Sequence, residues 1–344
     1  MLTPPKPTEY DYTFPSKLIA SEPAQPRESA RLLVHRRGQG ASTITTFAEI
    51  GDLLPENAVL VFNETKVIPA RFYALRPSGG TVQLLYLGVR GGHIHVLANR
   101  PLKLGEVLTA RGDGTTCIVQ EKLDKGYALT PSIPLSQFES FLLRVGTTPI
   151  PPYIKHTRLS EEQLREEYQS VLAKYFGSSA APTASLHFGE SLIRSLEQRG
   201  VAIVRVTLHV GLGTFAPLTA AHLESGRLHT EQYFIDPSAA QKLQLYKQKG
   251  RPIIAVGTTV VRTLESATRN GQLHELSGET DLFIYPPYQF QFVDGIITNF
   301  HVPQSSLLML VAAFTGKDEL FRLYDQAIHE QFRLFSFGDG MLLL

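Results

Sequence analysis

The chain holds a single cysteine, Cys117, among its 344 residues. No intrachain disulfide can form, and a zinc or iron–sulfur site built on several cysteines is excluded. Charge is scarce and balanced. Charged residues make up 19% of the chain, below the roughly 25% usual in globular proteins. With 33 Lys plus Arg against 32 Asp plus Glu, no global field steers a partner, and a polyanion must be held by a local patch. Long apolar runs are missing too: the longest, Leu307 to Phe314, has eight residues and cannot span a bilayer. Met1 to Tyr10 carries prolines and a glutamate where a secretory signal needs an apolar core. With 27 glycines and 22 prolines, the chain is neither fibrous nor of low complexity. These absences point to a soluble, cytoplasmic protein. What is present is a hydrophobic fraction of 43%, enough for one large core or two modest ones.

The texture changes along the chain. Ala58 to Phe62 is an apolar run short enough to be a buried strand. From Val67 to about Gly146, short runs (Thr81–Leu87, Ile94–Ala98, Cys117–Gln120) are broken by Gly79-Gly80, Gly91-Gly92 and Gly112-Asp113-Gly114. Such punctuation predicts an all-β, barrel-like unit inserted into the first domain, with one helix over Ser136–Leu143. Within it, Cys117 reads as a buried structural thiol, a reactive one being the alternative. From Pro149 helix and strand alternate, which predicts an α/β domain with partly parallel strands. Ser160 to Gln163 forms a capping box, and Leu164, Tyr168, Val171, Leu172 and Tyr175 fall on one helical face. Helices are expected over Gly189–Arg199, Ser238–Lys249, Thr259–Arg269, Ser305–Phe314 and Asp318–Phe332. Strands are expected over Val201–Leu208, Ile253–Val256, Phe283–Tyr285 and Phe292–Thr298. The division is residues 1–66 plus 149–344 for the α/β domain and 67–148 for the inserted β domain.

The chemistry-bearing residues sit in loops. Asn63-Glu64-Thr65-Lys66 follows a buried strand, where ligands of α/β folds usually bind; a charged surface turn is the plainer reading. Gly177 to Phe188 is built of small residues, including Ser178 and Thr183, that let backbone amides approach a ligand, and it ends in His187. His209 to Phe215, with Gly211, Gly213 and Thr214, follows a strand but lacks the third glycine and the helix of a dinucleotide fingerprint. His229 and Glu231 lie some twenty residues on, without the spacing of a metal site. Gly257 to Glu265 is a strand-to-helix junction where Thr258 or Thr259 caps the helix and leaves amides for an anion. There Arg262 and Glu265 read as a surface ion pair. Asn299 and His301 alternate with apolar residues and point to one side. Phe335 to Gly340 reads as a tight turn. Loops of this kind converge at one strand edge in an α/β fold, so a single site is expected.

Taken together, Ser179–Ala184 with Leu186-His187-Phe188, Leu208–Phe215, Ala255–Ser266 and Thr298–His301 resemble the S-adenosylmethionine:tRNA ribosyltransferase-isomerase family of queuosine biosynthesis. Phe62–Arg71 and Pro151–Ile154 look like its motifs as well, and the resemblance runs in order from Tyr10 to Leu342. The chain departs from the family pattern at Lys66 (usually Arg), Ser185 and Pro287 (usually Gly), Gly226 (the first His of a His-x-x-His pair) and Gly340 (usually Ala). The resemblance implies an α/β-barrel-like main domain carrying a β-barrel insert. It also implies that S-adenosylmethionine is a co-substrate whose ribosyl part, not its methyl, moves to a 7-aminomethyl-7-deazaguanine base of a tRNA anticodon. The product would be epoxyqueuosine-tRNA, with adenine and methionine released.

That reaction needs a base to take a proton from the carbon beside the sulfonium. His187, His209, His229 and His301 are the candidates, with Glu231 and Glu265 behind them as bases or electrostatic partners. Asn63, Thr65, Ser178, Thr183, Gly211, Gly213, Thr214, Thr258, Thr259, Arg262 and Asn299 are candidate S-adenosylmethionine contacts, with Thr258, Thr259 and Arg262 placed for the methionine carboxylate. No metal is required. From Lys66 to Arg111 seven Lys or Arg face one acid, Glu106, so Lys66, Arg71, Arg76, Arg90, Arg100 and Lys103 are candidate contacts to the tRNA anticodon stem-loop. A monomer is expected. Two other classes stay open: a paralogue that uses S-adenosylmethionine on another nucleobase or small molecule, and a tRNA-binding module with weakened catalysis. An ordinary methyltransferase is disfavoured, because the loop after the first strand lacks Gly-x-Gly.

Overall fold

The computed structural model describes residues 4–211 and 218–344. Its strands are, in chain order, β1 (Arg31–His35), β2 (Ser42–Thr46), β3 (Val59–Asn63), β4 (Thr65–Val67), β5 (Arg71–Leu75), β6 (Thr81–Arg90), β7 (His93–Ala98), β8 (Val107–Ala110), β9 (Thr116–Lys122), β10 (Tyr127–Pro131), β11 (Tyr175–Ser178), β12 (Ala202–Leu208), β13 (Arg227–Phe234), β14 (Ile253–Val256), β15 (Thr268–Arg269), β16 (Gln272–Leu273), β17 (Ser277–Leu282), β18 (Gly295–Asn299) and β19 (Gly340–Leu343). The helices are α1 (Ile50–Leu53), α2 (Phe138–Val145), α3 (Glu161–Glu167), α4 (Glu190–Gln198), α5 (Ala220–Ser225), α6 (Pro237–Gln248), α7 (Thr258–Ala267), α8 (Ser306–Thr315) and α9 (Lys317–His329). None of them is long and apolar enough to cross a membrane.

Nine strands form one mixed sheet in the order β17-β13-β12-β3-β14-β18-β19-β1-β2. Its centre, β12-β3-β14-β18, is parallel throughout. These central strands are apolar on both faces because both faces are covered. Val59, Val61, Ile253 and Ala255 pack into one core with α7, α8 and α9. Leu60, Phe62, Ile254 and Val256 face the other, with Phe188 and α4. Among the described residues the edge strands β2 and β17 do not pair with each other, so the main sheet is open and not the barrel the resemblance implied.

The closed barrel is the smaller unit: β10-β7-β6-β5-β8-β9, antiparallel all round. Alternation aims Phe72, Ala74, Val82, Leu84, Ile94, Val96, Cys117 and Val119 inward. Helix α2 stoppers it with Phe138 and Phe141 against Phe72. Cys117 is the buried structural thiol expected, its ionisation pushed up to about 12 by burial. The chain enters and leaves this unit side by side, with Arg71 and Thr147 exchanging backbone hydrogen bonds of 3.2 and 2.7 Å. Gly146 permits that approach, since a Cβ there would lie 1.9 Å from the Pro69 carbonyl.

Several expectations need correction. The helix opened by Ser160 stops at Glu167. Tyr168 turns into the core, Val171 and Tyr175 are exposed, and Tyr175–Ser178 pairs with β4 as a parallel strand. Phe283–Tyr285 is not a strand; the strand is β17, just before it. Strands β13 and β19 were not foreseen.

The C-terminal strand is fixed by one carboxylate. Asp339, 1% exposed, accepts the backbone N–H of Arg31 at 3.0 Å and of Arg333 at 2.8 Å, and faces the Arg333 guanidinium at 3.3 Å. Next to it, a Cβ at Gly340 would sit 2.9 Å from the Phe47 ring, which accounts for glycine there. Removing a buried carboxylate with these partners leaves donors unsatisfied. Asp339→Ala is expected to cost about 3 kcal/mol of unfolding free energy, and Asp339→Asn clearly less, measured by urea denaturation. Equal, sub-kcal effects of both would show that the turn stands without the carboxylate.

Candidate active site

The loops at the C-terminal ends of β12, β3, β14 and β18 meet, as expected of a parallel sheet. They enclose a pocket lined by Thr183, Val210, Gly257, Thr258, Thr259, Asn299 and His301, together with Tyr153, Phe335 and Ser336. Of the expected contacts, Thr183, Thr258, Thr259 and Asn299 line it directly. Tyr153 and Ser336 lie in two segments marked in the sequence, Pro151–Ile154 and Phe335–Gly340, but were not among the expected contacts; their hydroxyls share a 2.6 Å hydrogen bond at its wall.

Asn63 holds the floor. Its amide donates to the Leu208 carbonyl at 2.9 Å and to Thr259 Oγ1 at 3.2 Å. Its oxygen accepts the amides of Leu208 and Thr65, both at 3.1 Å. All its capacity goes to joining β3, β4, β12 and α7, so it shapes the pocket rather than meeting a ligand. Ser178 is engaged likewise, donating to the Ala180 carbonyl at 2.9 Å and accepting from the Val210 amide at 2.8 Å. Asn299 receives Thr183 Oγ1 at 2.8 Å and reaches His187 Nε2 at 3.2 Å. Thr65 Oγ1 pairs with His209 Nδ1 at 2.8 Å.

Helix α7 begins at Gly257, with φ of 97° and no side-chain cap, so neither Thr258 nor Thr259 is the cap. Its first amides have no acceptor within the helix and lie at residues that line the pocket. The expected surface pair of Arg262 and Glu265 does not exist, since both are buried and turned to other partners. Arg262 pairs with Glu231 and donates to the carbonyls of Leu282 at 3.2 Å and Thr280 at 3.4 Å. It is therefore not available to a methionine carboxylate. Glu231 also accepts the Gly211 amide at 2.8 Å. Glu265 accepts the amides of Gln291, Phe292 and Val293 at 2.9, 3.0 and 3.1 Å and the Tyr288 hydroxyl at 3.2 Å. It anchors a loop and has no free lone pair aimed at the pocket.

The four histidines occupy four different environments. His301 lines the pocket with Nε2 at 2.8 Å from Thr298 Oγ1, and burial pushes it down to about 3. His187 lies behind Asn299, stacked on Phe47 at 4.1 Å between centroids. Burial, then Arg333 and Arg27, push it down to about 3. His209 is lowered by burial and packs over Gly177. His229 stands in a second, larger cleft, where the Lys125 ammonium donates to its Nε2 at 2.7 Å and His222 meets it edge-on at 4.5 Å. Burial, then Lys125 and His222, lower it. Lys125 and His222 lay outside the sequence reading; nothing local marks a turn lysine as the neighbour of a histidine 104 residues away. Gly213 and Thr214 lie outside the described residues. The described residues include no group of three or more His, Cys, Asp or Glu arranged to hold a metal ion.

Of the expected nucleic-acid contacts, Arg76 is held bidentately by Glu106 at 2.6 and 2.9 Å. Lys66 lies 4.6 Å over the Phe176 ring, and Arg71 donates to the Ile150 carbonyl at 3.1 Å. Arg90, Arg100 and Lys103 are exposed, and only Arg90 lines the second cleft.

The buried histidines give a pH dependence. His187 and His301 stay neutral when folded and take up protons near 6.5 when unfolded, so the unfolded chain binds more protons below 6.5. Their contribution is complete above pH 6.5 and is lost as pH falls toward 3. Each should remove about 1.4 kcal/mol per pH unit across that window. His301→Gln is expected to flatten the fall of Tm between pH 6.5 and 4.5, followed by calorimetry; an unchanged slope would mean that the ring protonates freely in the folded chain.

Comparisons place this geometry among known proteins. A family model described as queuosine biosynthesis protein matches residues 7–343. A protein of Rubrobacter xylanophilus named S-adenosylmethionine:tRNA ribosyltransferase-isomerase is 45% identical over 98% of this chain and 97% of its own. A Thermotoga maritima protein of the same name is 42% identical over 98% of this chain and 100% of its own. The crystal structure of S-adenosylmethionine tRNA ribosyltransferase from Thermotoga maritima superposes with a TM-score of 0.57 at 34% identity, covering 98% of this chain and 100% of that one. Matched over almost its whole length, this chain belongs to the queuosine biosynthesis family of S-adenosylmethionine:tRNA ribosyltransferase-isomerases and is a transferase.

Proposed function

We propose that this chain moves the ribosyl part of S-adenosylmethionine onto 7-aminomethyl-7-deazaguanine in a tRNA anticodon and rearranges it, giving epoxyqueuosine-tRNA with release of adenine and methionine. In this reading residues 1–66 and 149–344 are the catalytic domain, and residues 67–148 are an inserted domain that faces the RNA. The observation that carries the reading is convergence. Three parallel strands, β12, β14 and β18, deliver residues to one pocket, and the relatives named for ribosyl transfer and isomerisation match almost the whole chain, the segments that build it included.

The chemistry follows from the groups present. The positive sulfur acidifies the adjoining carbon, and a base must take its proton. Proton transfer is most effective when the base titrates near the working pH. His301 and His187, pushed down to about 3, are weak bases and serve as neutral hydrogen-bonding groups. Glu265 is spent on backbone amides, and Glu231 on Arg262 and Gly211. His229 is half-buried, borders the same loop at Gly211 and keeps access to solvent; it is the preferred base once the Lys125 hydrogen bond on its Nε2 is released to the RNA. The start of α7 suits the methionine carboxylate, since helix N-termini favour anions.

The products discriminate. Incubation with S-adenosylmethionine and tRNA bearing 7-aminomethyl-7-deazaguanine is expected to release adenine and methionine in equal amounts, read by liquid chromatography. Release of S-adenosylhomocysteine would mean methyl transfer, and no release would mean that the chain only binds. His229→Ala is expected to lower the single-turnover rate at least about a hundredfold while S-adenosylmethionine still binds. A rate within threefold of the unsubstituted chain would remove His229 as the base.

A further inference from the structure

The second cleft, about 470 Å³, lies between the barrel and the main sheet. That volume is in the range of small-ligand sites. Its barrel wall comes from strand alternation. Val82, Leu84 and Tyr86 on β6 and Ile94 and Val96 on β7 point into the barrel, so Leu87, His95 and Leu97 turn outward, half-buried. Leu123, in the turn between β9 and β10, extends this apolar floor. The opposite wall is Ser179, Gly211, His229 and Thr230 of the main domain, beside the strand-end loops.

Two cations rim the floor. Arg90 is exposed and has no ion-pair partner among the described residues. Lys125 is held by His229, which uses one of its three ammonium hydrogens. Asp124 is the only carboxylate among the described lining residues; Glu121 acts on His95 from outside the cleft. His95 is kept neutral by burial, then by Arg90 and His93, so it can both donate and accept. An apolar floor, a neutral imidazole and two cations without a carboxylate partner among the described residues suit an unstacked nucleotide, whose base needs a flat contact and whose phosphate needs charge.

We infer that this cleft seats the RNA nucleotide flanking the reacting base, its base against Leu87 and Leu97 and its phosphate between Arg90 and Lys125. The inference rests on the RNA substrate proposed above and names where that RNA lies. A single-stranded segment passing here would deliver its neighbour to the loops at Ser179 and Gly211.

The test uses the full chain and an anticodon stem-loop RNA. The double variant Arg90→Ala/Lys125→Ala is expected to raise the Kd for RNA about tenfold. Its plot of log K against log salt should be shallower by about 0.7, from the one phosphate that the two cations neutralise on a single strand. Leu97→Ala, which keeps both cations, is expected to weaken RNA binding about threefold with the salt slope unchanged. RNA carrying 4-thiouridine beside the reacting position should cross-link, on irradiation, to the peptide containing His93–Ala98. Binding of S-adenosylmethionine should stay within twofold in all variants. Unaltered RNA affinity and slope in the double variant overturns the inference, as does a loss confined to S-adenosylmethionine binding. If the unsubstituted chain releases no adenine, the reaction proposed above fails; the RNA affinities and the cross-link still decide where the RNA sits.

Discussion

The side chain of Asn63 is the constraint on which the rest of the site depends. One amide joins the ends of β3 and β12, the start of β4 and the first turn of α7. A buried amide that is fully satisfied specifies one arrangement, because each competing one leaves a donor or acceptor without a partner. With the strand ends fixed, the loops that follow them have little choice of direction. Thr65 meets His209, Thr183 meets Asn299, and the start of α7 faces the pocket they enclose. The buried pair of Glu231 and Arg262 does the same work further out, tying β13, α7 and the loop at Gly211 together.

This arrangement divides the labour among residues that look alike in sequence. His187 and His301 are held neutral by burial and act within the scaffold or as hydrogen-bonding groups. His229 lies at the boundary between the two structural units, in reach of a lysine from the barrel. Of the two buried glutamates, one neutralises an arginine and the other anchors a loop of three successive amides. The base proposed above therefore stands at the seam between the sheet and the barrel, beside the strand-end pocket of the main domain.

Much of the fold was legible in the sequence because it is locally encoded. The apolar runs at Ala58–Phe62 and Ile253–Val256 are central parallel strands, and glycine-punctuated alternation announced the barrel. The capping box at Ser160 is present as expected. What escaped depends on distant partners. Residues 175–178 are a strand only because β4 lies beside them. Strand β13 carries a glutamate at a buried position, and its neutralising arginine comes from a helix 31 residues later. The spacing of Arg262 and Glu265 suggested a pair, but tertiary partners on either side claimed each of them. In the same way the site segments could be found while the roles of their side chains could not, since a histidine's environment is not written in its neighbours.

The central claim is that sugar, not methyl, moves to the RNA. The most direct measurement is mass spectrometry of the tRNA after reaction with S-adenosylmethionine labelled with carbon-13 in the ribose and, separately, in the methyl group. The account predicts that the modified nucleoside gains the ribose label and none of the methyl label. Methyl label in the RNA, or no label from either source, would contradict it.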